Sequence, residues 1–520
     1  MTDRSCRFSE SKIVFHPFES KETIKSLDTI LQLLTCCFGP YSRLNAFQNV
    51  NGGKVTLTSS LARTLKLISI ARPEIRVLTS ILNGYCNTYK EGGHFAGILS
   101  IQLIKSCLQL RKEIHPKLIC DVLELLNVEC SSYLKSEICK TKRKLDLTSI
   151  SHFKNVINSI LLTKPLVKSY ADRLSTILLE AFIKTLDDSQ NLIFATERGL
   201  LKDSRLLNGL YIRYHGCNKF EGSLDGKIVI FNESMSGDDF SQNFQTLKLI
   251  KTSDKDTNFP MLNKMLLFVA HLKEMDIKAL FCQKVIHPFV KRRLIEKGIF
   301  FVERIGIEMT NSLSKLTGAK LISSFETSYL EEEDFGIGSI SFEEINHKFY
   351  LTIKCTKSSI HTFLLITNDD DEEDEILTLL KNGDFCLRTL LQVPFVLCGG
   401  GCWLGDLHNF LNEKARSNFK EWSLKLNCKA QHLQIIANIL SDNLKRMIYI
   451  LHKTQKNYID VRINDGHVFL DENKSCCCSN STNTSGIVLD CLHIVENSLK
   501  CAINMCNLLI STNFFIEGQV

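Results

Sequence analysis

Ala279-Leu280-Phe281-Cys282-Gln283-Lys284-Val285-Ile286-His287-Pro288-Phe289-Val290-Lys291-Arg292-Arg293-Leu294-Ile295-Glu296-Lys297-Gly298-Ile299-Phe300-Phe301-Val302 reads as strand, helix, strand. Short apolar runs at 279–282 and 300–302 flank a helical pattern over 288–297, with Pro288 at its start and Gly298 at its end. Upstream, a helical pattern over 262–275 leads into the first run. Earlier still stand β-like runs at 192–195, 209–212 and 227–231, and later ones near 319–325, 337–342 and 348–355. Alternation of this kind predicts an α/β centre.

Outward from the centre the pattern turns helical. Ile24, Leu27, Ile30, Leu31 and Leu34 repeat at helical spacing over 21–37, and Gly39-Pro40 stops that helix. Val55–Thr58 alternates as a strand after the turn at Gly52-Gly53, in a hairpin-compatible stretch over 47–54. Helices follow over 73–88, 94–112 and 116–138, with amphipathic helices through 149–188. Beyond the centre, 374–392 is helical and the triplet Gly399-Gly400-Gly401 punctuates it. The rest is helical apart from 457–470 and a polar loop near 473–485. The order is therefore α, α/β, α, with no internal repeat.

The 520 residues suit two to four domains, and 44% hydrophobic with 23% charged residues is a globular balance. A net charge of +6 is too small and dispersed for a nucleic-acid partner. Lys291-Arg292-Arg293 reads as a solvated helix face. Twenty-one cysteines with no apolar leader over Met1–Lys12 predict a reducing compartment. No apolar run approaches the ~18 residues of a membrane span.

Other constellations receive ordinary readings. The acidic run Asp369–Glu375 is expected to be a solvated loop before a helix. Cys36-Cys37 reads as core. Cys476-Cys477-Cys478 reads as incidental loop thiols rather than zinc, because adjacent cysteines cannot all face one ion and no Cys-x-x-Cys pair follows. Met261, Met265, Leu266, Phe268, Leu272 and Met275 are expected to pack a helix on a sheet rather than to form a partner surface.

Several segments together resemble the group II chaperonins, the thermosome and cytosolic CCT type. They are Phe38-Gly39-Pro40, Phe281-Cys282-Gln283-Lys284, Glu303-Arg304-Ile305, Leu316-Thr317-Gly318-Ala319, Gly399-Gly400-Gly401 and Asp490–Ile516. Tyr133–Glu137, Cys282–Pro288 and Cys398–Cys402 are similar to the chaperonin-like branch linked to Bardet–Biedl syndrome. The resemblance implies a multidomain α+β chaperonin fold. Residues 1–138 and 399–520 would form an α-helical equatorial domain from both chain ends. Residues 139–205 and 365–398 would form a small intermediate domain, and 206–364 an inserted α/β apical domain that binds partners.

The resemblance also locates a nucleotide site. Gly39, Pro40, Gly93, Gly399, Gly400 and Gly401 are the expected remnants of the phosphate cradle. The family's Gly-Asp-Gly-Thr-Thr, which holds Mg²⁺, is matched by Glu91-Gly92-Gly93-His94-Phe95. Gly92 thus replaces the aspartate, Glu91 is the remaining metal candidate, and Phe95 would crowd the phosphate. Ser60 and Leu61 replace an Asp-Gly, and leucine would strain any left-handed backbone there. The water-orienting aspartate falls on Asn382, leaving Asp384 as the catalytic candidate. The expectation is weak ATP or ADP binding, no confident metal, and little or no hydrolysis.

The function this implies is an assembly chaperone acting on BBSome subunits, with other chaperonin-like Bardet–Biedl proteins and CCT subunits as partners. Its place would be the cytoplasm, the centrosome or ciliary basal body, and the nucleus as a further site. The alternatives are an active ATP-driven folding chaperonin subunit and a ciliary scaffold without chaperone activity.

Overall fold

The computed structural model describes residues 12–48, 52, 54–214, 216, 219–236, 259–326, 330–345, 348–355, 360–452, 462–464, 467–469, 476 and 487–517. The amino-terminal leader region, most of the hairpin tip, and Cys477 and Cys478 lie outside them. The fold is a multidomain mix of helices and sheets, in two compact units. One combines 1–176 with 369–520, and the other is 177–368. Among the described residues no helix is long and apolar enough to cross a membrane.

The central unit is built on the quoted stretch. A mixed seven-stranded sheet has the path Phe300–Val302, Ile277–Cys282, Ser223–Phe231, Gly336–Ile345, Lys348–Lys354, Leu210–Arg213, with Leu321–Ile322 also paired to Ser223–Phe231. The first three strands run parallel, and Gly336–Ile345, Lys348–Lys354 and Leu210–Arg213 pair antiparallel. Successive strand residues face opposite sides. Ile228, Ile230, Ala279 and Phe281 therefore enter one core, while Val229, Phe231, Leu280 and Cys282 enter the other. Both faces are covered, which explains why these strands read as continuous apolar runs. Each fully buried phenylalanine contributes about 1.5–3 kcal/mol of burial.

Helix Pro288–Glu296 starts where the sequence says it must. Pro288 occupies its first turn, and the His287 Nδ1 accepts from the Phe289 N–H at 3.2 Å. Gly298, at φ +68°, closes it, with Ile299 N–H donating to Leu294 O. A smaller sheet pairs His361–Thr367 with Leu192–Arg198 in parallel and with Arg205–Asn208 antiparallel.

The helical unit is organised around helix Gly93–Leu110. It is apolar on nearly every side and buried among Lys21–Cys36, Pro73–Tyr89, Ala430–Leu451 and Leu492–Ser511. The chain ends pair as Lys12–Phe15 with Phe514–Glu517. Strands Lys142–Lys144, Phe395–Cys398 and Leu489–Cys491 form a three-stranded sheet, and Asn45–Phe47 pairs with Thr56–Thr58.

Two local readings are corrected here. The acidic run is not a solvated loop, since helix Asp370–Gln392 already begins at its second residue and Glu375 is only 1% exposed. Of Cys36-Cys37, only Cys37 is core and Cys36 is exposed, because neighbours on a helix point about 100° apart.

Candidate functional site

The glycine loops of the helical unit converge. Gly39, after helix Lys21–Cys36, has φ +83°, and a Cβ there would stand 2.8 Å from Leu451 Cδ1. Gly401, at φ +90°, caps helix Cys402–Lys425, and Leu451 Cδ2 lies 3.5 Å from its Cβ position. The end of helix Ala430–Leu451 thus touches both loops, and Pro40 is exposed beside it. His452 Nε2 donates to Gly400 O at 2.7 Å, with an imidazole held neutral by burial. Gly399 lies against Val488 and Asp490.

Helix Gly93–Leu110 opens on Gly92, at φ +81°, without a side-chain cap. An uncapped helix start is an anion-friendly end. Gly93 is a packing glycine, since a Cβ would meet Cys86 Sγ at 2.6 Å and Leu61 Cδ2 at 3.0 Å. Phe95 is the third residue of this helix. It is buried, edge-on to Trp403 at 5.2 Å.

The loop that departs most from the family pattern has been rebuilt. Ser60 has φ −78° and precedes helix Leu61–Leu67, so Leu61 sits in helical backbone without left-handed strain. The loop is held by Glu375, whose carboxylate accepts from Thr58 Oγ1 at 2.7 Å, from Ser59 N at 2.9 Å and from Ser59 Oγ. Arg63 Nη1 stands 3.6 Å away. Lys164, buried, donates to Ser59 O at 3.1 Å. Sequence reading places Glu375 only at the end of a solvated acidic run and does not single out Lys164. Their partners lie far along the chain, and no local pattern marks them.

Asn382 and Glu91 are brought together, with Asn382 Nδ2 donating to Glu91 Oε1 at 2.9 Å. Asp384, two positions on and so about 200° around the helix, accepts instead from Arg388 Nε at 2.9 Å. Trp403 Nε1 donates to Asp490 Oδ2 at 3.0 Å. The titratable groups here are driven towards their neutral forms. Burial raises Glu91, against the pull of Lys164, Asn382 and the Gly92 N–H. Burial pushes Asp490 up to about 6, with the Glu91 charge adding to it. Burial, then the Lys164 charge, holds His94 down to about 3.

A magnesium ion takes hard, charged oxygens in octahedral array. Asn382 engages one oxygen of Glu91, Arg388 one of Asp384 and Trp403 one of Asp490, while Asp384 Oδ1 is buried without a hydrogen-bond partner among the described residues. Position 92 cannot simply regain a carboxylate. A Cβ there would lie 2.9 Å from Tyr85 Oη and 3.1 Å from Ile494 Cγ2 and Ser498 Cβ, on a left-handed backbone.

The chain belongs to the TCP-1/cpn60 chaperonin family, whose model matches residues 30–519. Among its relatives is "Molecular chaperone MKKS" of Mus musculus, 25% identical over 90% of this chain and 84% of that one. The Homo sapiens protein of that name is 23% identical over 97% of both chains. The thermosome subunit gamma of Saccharolobus solfataricus is 23% identical over 82% and 81%.

Proposed function

We propose that this chain is a molecular chaperone that assists assembly of protein complexes by recognising other proteins and turns over little or no ATP. The observation that carries this reading is position 92, where glycine stands on a left-handed backbone and any side chain would have to displace Tyr85, Ile494 and Ser498, while Asn382 and Trp403 donate to the nearby Glu91 and Asp490. Without a bound cation, the charge that builds on a transferring phosphoryl group goes unneutralised.

Recognition is supported by a groove of about 630 Å³ between helices Phe259–Glu274 and Pro288–Glu296, lined by Leu262, Leu266, Leu267 and Phe289 and rimmed by Arg292 and Arg293. Met265, Phe268 and Leu272 pack that first helix on the sheet, yet Leu267 is 69% and Phe289 63% exposed. Adjoining apolar side chains in water beside arginines suit a protein partner. Such a helix therefore serves packing and recognition with different faces.

In this reading 1–138 and 399–520 are equatorial, 139–205 and 365–398 intermediate, and 206–364 apical. Gly39, Pro40, Gly93, Gly399, Gly400 and Gly401 line what is left of a cradle that binds ATP or ADP weakly. Family resemblance supplies the partners: BBSome subunits, chaperonin-like Bardet–Biedl proteins and CCT subunits, met at the ciliary base. The test is phosphate release by the purified full chain in Mg-ATP. None above background is expected, and none gained in Gly92→Asp. Turnover at the rate of a CCT preparation sinks the proposal. Affinity capture from ciliated cells should recover BBSome and CCT subunits, and recovery of neither leaves only a scaffold.

A further inference from the structure

The geometry points to a metal site that neither the family pattern nor the nucleotide site accounts for: Cys402, His467 and Cys476 as two thiolates and one imidazole around a zinc-class divalent ion. One ligand atom from each residue lies within 4.8 Å of the others. Cys402 Sγ and Cys476 Sγ approach to 3.2 Å, and Cys476 Sγ stands 3.3 Å from His467 Nδ1. Tetrahedral zinc, with Zn–S near ~2.3 Å and Zn–N near ~2.0–2.1 Å, holds its ligand atoms roughly 3.5–3.8 Å apart. The Cys402–Cys476 and Cys476–His467 separations need to open by only roughly 0.2–0.6 Å to receive it. Two thiolates and a neutral imidazole balance a 2+ ion, and soft sulfur selects zinc-like ions over magnesium.

The surroundings are built for thiolates. Cys402 is the buried first residue of helix Cys402–Lys425, where the positive helix end favours an anionic sulfur. The Val468 N–H donates to the Cys402 Sγ at 3.5 Å, an outer hydrogen bond of the sort that fixes metal-bound sulfur. His467 and Val468 lie on the hairpin Arg462–Asn464/His467–Phe469. That hairpin seats on the same helix at Gly405, whose Cβ position lies 3.0 Å from Ile463 Cγ2 and 3.2 Å from Val468 Cγ2. The ion would staple the hairpin and Cys476 to the helix that follows the glycine triplet. A disulfide would use Cys402 and Cys476 and leave the aligned imidazole unexplained.

The test is cobalt titration of reduced, chelator-stripped full-length chain. Expected is one equivalent per chain, with thiolate-to-cobalt charge transfer and the d–d bands of a tetrahedral S₂N site. Zinc should displace it at one equivalent, seen by elemental analysis. Cys476→Ser and His467→Gln should each weaken cobalt binding by more than about 10–100-fold, the effect of losing an outer partner alone. Both residues are half-buried, so unchanged circular dichroism separates ligand loss from unfolding. The pair Cys477→Ser/Cys478→Ser should keep the full signal. Absence of the charge-transfer band, its survival in Cys476→Ser or His467→Gln, its loss only in the Cys477/Cys478 pair, or a Cys402–Cys476 disulfide in protein isolated under reductant each overturns the assignment.

Discussion

The pocket around Gly92 and the groove along Pro288–Glu296 have treated their side chains in opposite ways. In the pocket, polar groups are turned inwards onto one another: Asn382 on Glu91, Arg388 on Asp384, Trp403 on Asp490 and Thr58 and Ser59 on Glu375. In the groove, large apolar groups are left facing water. The contrast teaches that backbone and side-chain requirements are separable. Gly39 and Gly92 are held by positive φ and close packing, and Gly401 by positive φ, whether or not a phosphate arrives.

The sharpest way to break the comparison is at Glu375. Glu375→Ala leaves buried hydroxyl and amide donors and Arg63 without their acceptor, and should cost about 3–5 kcal/mol in denaturant unfolding. A loss below about 1 kcal/mol would mean that the rebuilt loop does not depend on this latch.

Gly401→Ala isolates the backbone contribution. Nothing lies nearer than 3.5 Å to the added carbon, so only the left-handed φ opposes it, at about 1–2 kcal/mol. A thermal melt that does not shift would show that the triplet is free to relax.

The muted electrostatics of the pocket are checked by pH. The folded state holds His94 near 3 against an ordinary value of 6.5. Between these values the unfolded chain binds a proton that the native one refuses, so His94 lowers stability as pH falls from 6.5 towards 3. His94→Gln should flatten that decline relative to the parent and change little above pH 7. Parallel curves would place the imidazole in water.

The smallest stability effect belongs to the groove. Leu267→Asp with Phe289→Asp should shift unfolding by less than about 0.5 kcal/mol while reducing partner capture at least tenfold. Loss of stability without loss of capture would make these residues packing and nothing more.

Where the signal was periodic, sequence reading was close. The strand at Phe300–Val302 and the helices near 73–88 and 116–138 match Pro73–Tyr89 and Pro116–Lys135 to within a turn. It failed where burial depends on distant partners. Glu375 looked solvated because its acceptor role is set by Thr58 and Ser59, far away along the chain. The nearness of Cys476 and His467 to Cys402 was likewise invisible in the sequence, since Cys402 lies far from both along the chain.

The amino-acid order alone determined the strand–helix alternation of the centre, the helical flanks and the glycine turns, since each follows from local periodicity or φ preference. Only the tertiary structure decided which carboxylates are spoken for, which face of the 259–274 helix meets water, and that two cysteines and a histidine share one point. Those are distances between parts of the chain that no local rule connects, and packing sets them.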